Sequence, residues 1–300
     1  MSRVTGARSG GARGIALVLV LWVITLMTVM ALGLTAAQRT EMSLIRNQVD
    51  GARFRALADA AVNYALLNLI MPPALEMDAQ VDAWVPDGVP RVWRFAGETL
   101  EIEVFNEASR IDLNRASRDT LESLLLLSGV DSDEAASLVD AIIDWRDEDD
   151  LTSLQGAEDG DYRAAGFPYG AKDGPFDSVA ELEQVIGMTP DLFRRLAPAL
   201  TVDADSEKVD ETFASALVLA AHRGLTIEEA EEELRRRSES VVPGAEIGGR
   251  LDRGGPLYRI RMTWRQEGRA GRAMETLVSS PSGGARSPSI GWRRTGLHLE

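Results

Sequence analysis

The stretch IALVLVLWVITLMTVMALGL, residues 15–34, contains twenty consecutive uncharged residues and decides how the chain is organised. With about 1.5 Å of rise per residue, a helix of this length matches the hydrocarbon core of a bilayer, about 30 Å thick. Arg3, Arg8 and Arg13 precede it. Because basic flanking residues stay on the cytoplasmic side, we expect one membrane crossing, with a cytoplasmic N-terminus and all later residues on the opposite side.

The helical pattern continues beyond the apolar stretch. Residues 35–71 contain no proline, and apolar side chains recur at helical spacing over residues 54–69. Pro72-Pro73 ends the pattern, so we expect one helix of about 57 residues, half in the membrane and half in water. The alternatives are an ordinary signal anchor and a signal peptide cleaved at Ala36-Ala37.

Two predicted hairpins flank a helical region. Residues 91–95 and 99–105 form the first, and residues 257–264 and 272–278 form the second. The residues between them, about 108–240, show helical periodicity and N-cap signals, which predict helices at 120–127, 132–146, 178–185, 190–196, 211–222 and 226–237. A short helix is also expected around 76–84, and the Ser/Gly/Pro-rich residues 281–288 should form a loop. The sequence therefore predicts an α+β fold, in which the long helix packs on an antiparallel sheet and a large all-helical insertion interrupts the sheet.

The composition makes an enzyme improbable. There is no cysteine, and the two histidines are His222 and His298, so a thiol nucleophile, a disulfide framework and a histidine-rich metal site are all disfavoured. The net charge is −15. It is unevenly distributed, because residues 119–161 carry fourteen acidic side chains and one basic one, whereas residues 234–296 carry thirteen arginines and five acidic residues.

The N-terminal pattern resembles a known class. An arginine-containing leader, then Gly14-Ile15 at the membrane edge, then a long apolar helix is similar to type IV pilins and type II secretion pseudopilins. The resemblance implies cleavage after Gly14 by a prepilin peptidase and methylation of Ile15. The acid usual at the fifth mature position is Leu19 here. Because it lacks this acid and contains the stretches DAIIDWRDEDD, GAEDGDY and PFDSVAELEQVIGM, the sequence resembles the K-type minor pseudopilin of type II secretion.

This resemblance carries a set of expectations. A K-type minor pseudopilin is not an enzyme; it is a single-pass protein of the bacterial inner membrane whose soluble domain is periplasmic. Its implied partners are other minor pseudopilins in a heteromeric tip complex, the prepilin peptidase and the inner-membrane secretion platform, and it binds no nucleic acid. Its implied role is to start or cap the pseudopilus and so support protein export across the outer membrane.

The resemblance also implies a division of the chain into five segments. They are a cytoplasmic prepilin leader (1–14), the transmembrane half of the long helix (15–34), its soluble half with the first strands (35–107), the helical insertion (108–240) and the last strands of the pilin-like domain (241–300).

The apolar residue Leu19 also has a physical explanation. A carboxylate in hydrocarbon without a partner costs at least about 2.5 kcal/mol, so an apolar residue suits a subunit with no neighbour ahead of it.

An acidic stretch in the insertion is the candidate metal site. Acidic side chains and glycines within a short loop supply the hard oxygen ligands that Ca²⁺ prefers. The loop does not match an EF-hand, because Leu151 and Thr152 stand where that motif needs an oxygen ligand and a glycine. The resemblance to calcium-binding K-type pseudopilins adds to the structural Ca²⁺ prediction, and the alternative is a solvated acidic surface. The predicted ligands are Asp147, Asp149, Asp150, Glu158, Asp159 and Asp161.

Two other functions stay open at this point. The insertion contains two segments that resemble tandem helix-hairpin-helix units, which suggests a membrane-tethered DNA-binding protein of DNA uptake. Asp131, Asp133 and Glu134 surround the Gly129 turn and would repel phosphate. The other alternative is a minor type IV pilin. We also expect the arginines of the C-terminal strands to lie mainly on the solvent face.

Overall fold

The computed structural model describes residues 12–70, 84–240, 246–247, 250–251, 253–265, 271–280 and 288–297. Most of the predicted leader, the predicted short helix at 76–84 apart from Trp84, and most of the loop at 281–288 lie outside the described residues. The helices are α1 (Ala12–Ile70), α2 (Arg118–Leu127), α3 (Ser132–Arg146), α4 (Asp159–Ala164), α5 (Pro190–Leu196), α6 (Ala216–Arg223) and α7 (Ile227–Ser240). The strands are β1 (Arg91–Phe95), β2 (Glu98–Asn106), β3 (Ile111–Asp112), β4 (Leu200–Thr201), β5 (Glu246–Ile247), β6 (Arg250–Leu251), β7 (Leu257–Trp264), β8 (Arg272–Ser279) and β9 (Ser289–Leu297).

Helix α1 is continuous over 59 residues. Its segment Ala16–Thr35 is apolar enough to cross a membrane, and every side chain of that segment is exposed. The hydroxyls of Thr25 and Thr28 donate to the carbonyl oxygens of Leu21 and Ile24, each at 2.8 Å. These threonine hydroxyls therefore find partners within the helix, as a lipid environment requires.

Five antiparallel strands form the main sheet, in the order β1-β2-β7-β8-β9. The two predicted hairpins are its first four strands, and β9 extends it at one edge. The β1–β2 turn has positive φ at Ala96 (51°) and Gly97 (79°), the backbone that two-residue hairpins favour. Strands β2 and β7 are neighbours although the whole insertion separates them in sequence.

The last turns of α1, beyond residue 57, pack on this sheet. Tyr64 stacks on Trp93 of β1, with ring centroids 4.5 Å apart and planes 7° from parallel. Arg253 donates to the carbonyl oxygens of Asn68 (2.8 Å) and Leu69, so a cation caps the C-terminus of the helix. These contacts confirm the predicted arrangement of a long helix on an antiparallel sheet.

The insertion is helical, as predicted, and has its own core. The predicted helices at 132–146 and 190–196 have the observed bounds, whereas the predicted helix at 178–185 is a 3₁₀ helix, Val179–Gln184. Gly129 and Gly187 provide the left-handed turns of the two hairpin-like units, with φ of 84° and 86°. Helix α4 was not among the predicted helices, because the acidic sequence around it contains few apolar residues.

Candidate functional site

The acidic cluster forms where α3 ends and the chain folds back towards α4. Asp144 lies in the last turn of α3, Asp147 follows that helix, and Glu158 stands before the first residue of α4. Tyr162 of α4 is fully buried and contacts the ring of Trp145, with centroids 5.7 Å apart. This aromatic contact anchors α4 on α3 and brings the acidic residues at their ends together.

Asp144 organises the loop between the two helices. It is fully buried, and its carboxylate accepts hydrogen bonds from the backbone N–H (3.1 Å) and the hydroxyl (2.5 Å) of Ser153. A Cβ atom at Gly156 would lie 1.9 Å from Asp144 Oδ2, so glycine alone allows the loop to approach this closely. The loop is therefore built around a buried carboxylate.

Two carboxylate oxygens in the cluster are buried without a hydrogen-bond partner. They are Asp147 Oδ1 and Glu158 Oε1, and Glu158 as a whole is 6% exposed. Burial, together with the nearby charges of Asp144 and Asp173, raises the pKa of Glu158 to about 7. Burial and the charges of Asp149 and Asp144 likewise raise the pKa of Asp147. A cation between these groups would relieve both the burial and the repulsion.

The other predicted ligands have different surroundings. Asp161 accepts the backbone N–H of Glu158 at 3.1 Å and caps α4, and Asp149 accepts the N–H of Leu151 at 2.9 Å. Asp159 pairs with Arg163. Asp150 is exposed, and its charge raises the pKa of Glu158. The six predicted residues thus share one region, but several of them also serve local turns and ion pairs.

Sequence reasoning missed two members of the cluster, Asp144 and Asp173. Asp144 lies only three residues before Asp147, at the end of the helix that precedes the acidic stretch, so its nearness was a signal that the sequence carried. Asp173 comes close only because a later loop folds back, with the N–H of Gly174 donating to Trp145 O at 3.4 Å. No local pattern predicts such a return.

The cluster has suitable ligand atoms for a hard cation, but its side chains are not placed around a common point. The groups at hand are carboxylates, and two of their oxygens are buried and unpartnered. Among the described residues, however, no three acidic or imidazole side chains are close enough to hold a common metal ion. Binding would therefore require side-chain rotation about Asp147 and Glu158.

The predicted processing position lies at the start of α1. Gly14 and Ile15 fall within the helical backbone, and the structure does not describe their side chains. Leu19 is exposed, as are its neighbours in the apolar segment. An apolar side chain therefore stands on the helix surface where the class usually has an acid.

A buried ion pair joins the end of β2 to β7. Glu107, directly after β2, is fully buried, and its Oε2 accepts from Arg259 Nε of β7 at 3.0 Å. Arg259 is 8% exposed, which corrects the expectation of a solvent-facing arginine at this position. The pairing residues are 152 positions apart, so sequence reasoning missed them.

These features define a pilin-like α+β protein with an apolar N-terminal helix and a helical insertion that carries an acidic cluster. Residues 102–205 match the family described as type II secretion system (T2SS), protein K. This match confirms the resemblance to K-type proteins that the sequence suggested.

Two relatives named for the same system match different lengths of the chain. The type II secretion system protein K of Pectobacterium carotovorum subsp. carotovorum is 39% identical over 90 residues, covering 29% of this chain and 27% of the relative. A putative type II secretion system protein K of Escherichia coli is 25% identical over 204 residues, covering 63% and 62%. The matched segments thus span less than two thirds of the relatives' own lengths.

The fold is similar to that of a solved structure. That structure is the crystal structure of the GspK-GspI-GspJ complex from the type 2 secretion system of enterotoxigenic Escherichia coli. The likeness has a TM-score of 0.58 at 17% identity and covers 84% of this chain and 98% of that chain. At this identity the likeness confirms the pilin-like fold with its helical insertion.

Proposed function

We propose that this protein is a minor pseudopilin that acts at the tip of the periplasmic type II secretion pseudopilus. Three features together support the proposal: a long helix with an apolar N-terminal segment, a pilin-like antiparallel sheet, and a match to protein K over residues 102–205. In this role the protein has no catalytic residue. It starts or caps the filament and so supports protein export across the outer membrane.

Assembly with other minor pseudopilins is part of the proposal. A similar fold occurs in a complex that contains GspI and GspJ, which makes related proteins of those types the first partners to test. The insertion lies between β2 and β7 and adds a second folded unit to the sheet. A subunit stacked ahead of it would need to avoid this unit, and Leu19 offers that subunit no carboxylate.

Co-purification tests this assembly. The full chain, co-expressed with I-type and J-type minor pseudopilins in membranes, should purify with both in one stable complex. Expressed alone at high level, it should form no long homopolymeric filaments in electron micrographs. Long filaments of this protein alone would contradict the capping role, and absence of the complex would contradict the tip assembly.

Membrane insertion and processing complete the proposal. Residues 15–34 cross the inner membrane with the N-terminus in the cytoplasm, and the inner-membrane secretion platform receives the protein there. A prepilin peptidase removes residues 1–14, and Ile15 becomes the methylated N-terminus. The arginines before the span and the apolar character of α1 support this orientation and this route.

We further propose that the acidic cluster holds a structural Ca²⁺. Asp147 and Glu158 would be ligands because each has a buried, unpartnered oxygen. Asp144 and Asp173 would add negative charge, and Asp149, Asp150, Asp159 and Asp161 would shape the surrounding loop. The bound ion would supply the counter-charge that keeps the ends of α3 and α4 together. An all-oxygen set favours Ca²⁺ over zinc or copper.

A further inference from the structure

A cleft of about 680 Å³ lies between the sheet and the insertion. One wall comes from the sheet and the other from the helical insertion. Asp87 lies on the lining as well, where it pairs with Arg91. The volume of the cleft is within the usual range of ligand pockets, and none of its lining residues belongs to the acidic cluster.

Arginines from both sides line the cleft: Arg259, Arg261 and Arg294 lie on the sheet, and Arg110 and Arg194 lie in the insertion. Five arginines line the cleft, of which three are neutralised by neighbouring carboxylates: Arg259 by Glu107, Arg261 by Glu275 and Arg194 by Asp191. The remaining two are Arg110 and Arg294.

Arg110 and Arg294 have carboxylates nearby but not in contact: the charges of Glu107 and Glu275 act on Arg110, and Asp203 interacts with Arg294. In the part of the chain that the structure describes, neither guanidinium has an ion pair or a hydrogen bond. Each lies over an aromatic ring instead, Arg110 at 5.0 Å from the Phe105 centroid and Arg294 at 4.3 Å from the Trp292 centroid. Burial and the nearby Arg259 charge lower the pKa of Arg110 to about 10, so the side chain stays charged at neutral pH.

The insertion also contributes an apolar surface to the cleft. Phe193, Phe213 and Leu217 of the insertion line it with partly buried side chains. A ligand that fills the cleft would therefore present carboxylates to the arginines and apolar side chains to the insertion.

We propose that this cleft binds a short acidic segment of another protein, with a glutamate or aspartate on Arg110 and Arg294 and an adjacent apolar side chain against Phe193 and Phe213. Charge complementarity selects this occupant, since the cleft is a basic spot on a strongly acidic protein. A planar guanidinium resting on a ring is already oriented for a carboxylate, so little order is lost on binding. The inference goes beyond the secretion role and does not depend on it.

The test uses the full chain in nanodiscs of neutral phosphatidylcholine. The probe is a fluorescein-labelled peptide with blocked ends, in which glutamate alternates with phenylalanine and leucine, and its control has glutamine in place of glutamate. Fluorescence anisotropy should show binding of the glutamate peptide and at least about tenfold weaker binding of the control, because charge-assisted hydrogen bonds are lost.

Matched variants locate the site. Arg110→Gln should weaken binding of the glutamate peptide about tenfold and Arg294→Gln severalfold, whereas Arg195→Gln, the same change outside the lining, should leave it unaltered. If Arg110→Gln lowers the melting temperature strongly, Arg294→Gln carries the test.

Several results would overturn the proposal. Equal affinity for the two peptides would show that carboxylates are not recognised. Full affinity in both cleft variants would show that the peptide does not bind in the cleft. Binding of sodium decanoate in the absence of peptide binding would replace the acidic segment with an amphipathic small acid.

Discussion

Two buried carboxylates, Glu107 beside the sheet and Glu158 in the acidic cluster, are accommodated in opposite ways. Glu107 is fully buried against the guanidinium of Arg259, so the chain provides its counter-charge. Glu158 is 6% exposed, and the charges that raise its pKa are those of other carboxylates. The sheet junction therefore contains its own counter-charge, whereas in the acidic cluster the proposed Ca²⁺ would have to supply it.

The largest expected effect comes from breaking the complete pair. Arg259→Met leaves Glu107 buried without a counter-charge and should lower the free energy of unfolding by about 3–5 kcal/mol. Replacing both partners, with Glu107→Leu added, should recover most of this loss, because an apolar pair needs no counter-charge. Urea unfolding of residues 36–300 provides the measurement. A loss below about 1 kcal/mol in the single variant would mean that the pair is not what supports the junction.

The acidic cluster should respond to calcium by a somewhat smaller amount. Ca²⁺ at a hundredfold excess over its dissociation constant should stabilise the fold by about 2.7 kcal/mol. The melting temperature of residues 36–300 should therefore be higher in millimolar Ca²⁺ than in chelator, and zinc should not replace calcium.

Variants separate this binding from general charge effects. Asp147→Asn with Glu158→Gln should abolish the difference between Ca²⁺ and chelator. Glu148→Gln with Glu183→Gln removes the same charge from exposed positions and should preserve the difference. If the wild-type melting temperature does not respond to Ca²⁺, the cluster is a solvated acidic surface.

Local sequence patterns predict the secondary structure of both regions better than their long-range contacts. Strands β1, β2, β7 and β8 and helices α3 and α5 follow from alternation, periodicity and capping signals, which are local. The acidic stretch was visible for the same reason. Asp173 joins the cluster through a returning loop, and Glu107 meets Arg259 from 152 positions away. Contacts of this kind arise from packing, which no short pattern encodes.

Helix α4 shows a second limit. Its sequence, DGDYRA, is short and polar, and the surrounding glycines favour a loop. The helix forms because Tyr162 is buried among Trp145, Phe167 and Tyr169, and because Asp161 caps its first turn. Tertiary contacts therefore override the local preference.

The smallest expected effect tests whether Asp161 caps helix α4 or binds the metal. Asp161→Ala removes the acceptor for the Glu158 N–H and should lower the free energy of unfolding by about 1 kcal/mol. The loss should be equal in Ca²⁺ and in chelator, as measured by parallel urea titrations. A loss confined to the Ca²⁺ condition would instead assign Asp161 to the ligand set that the sequence suggested.

Processing at the membrane tests the pseudopilin account most directly. The full chain should be co-expressed with a prepilin peptidase, and the N-terminus of the membrane-bound product determined by mass spectrometry. The account predicts loss of residues 1–14 and a methylated Ile15, and it predicts that Gly14→Asp retains the leader. Cleavage after Ala36 or Ala37 would identify an ordinary exported protein and would contradict the account.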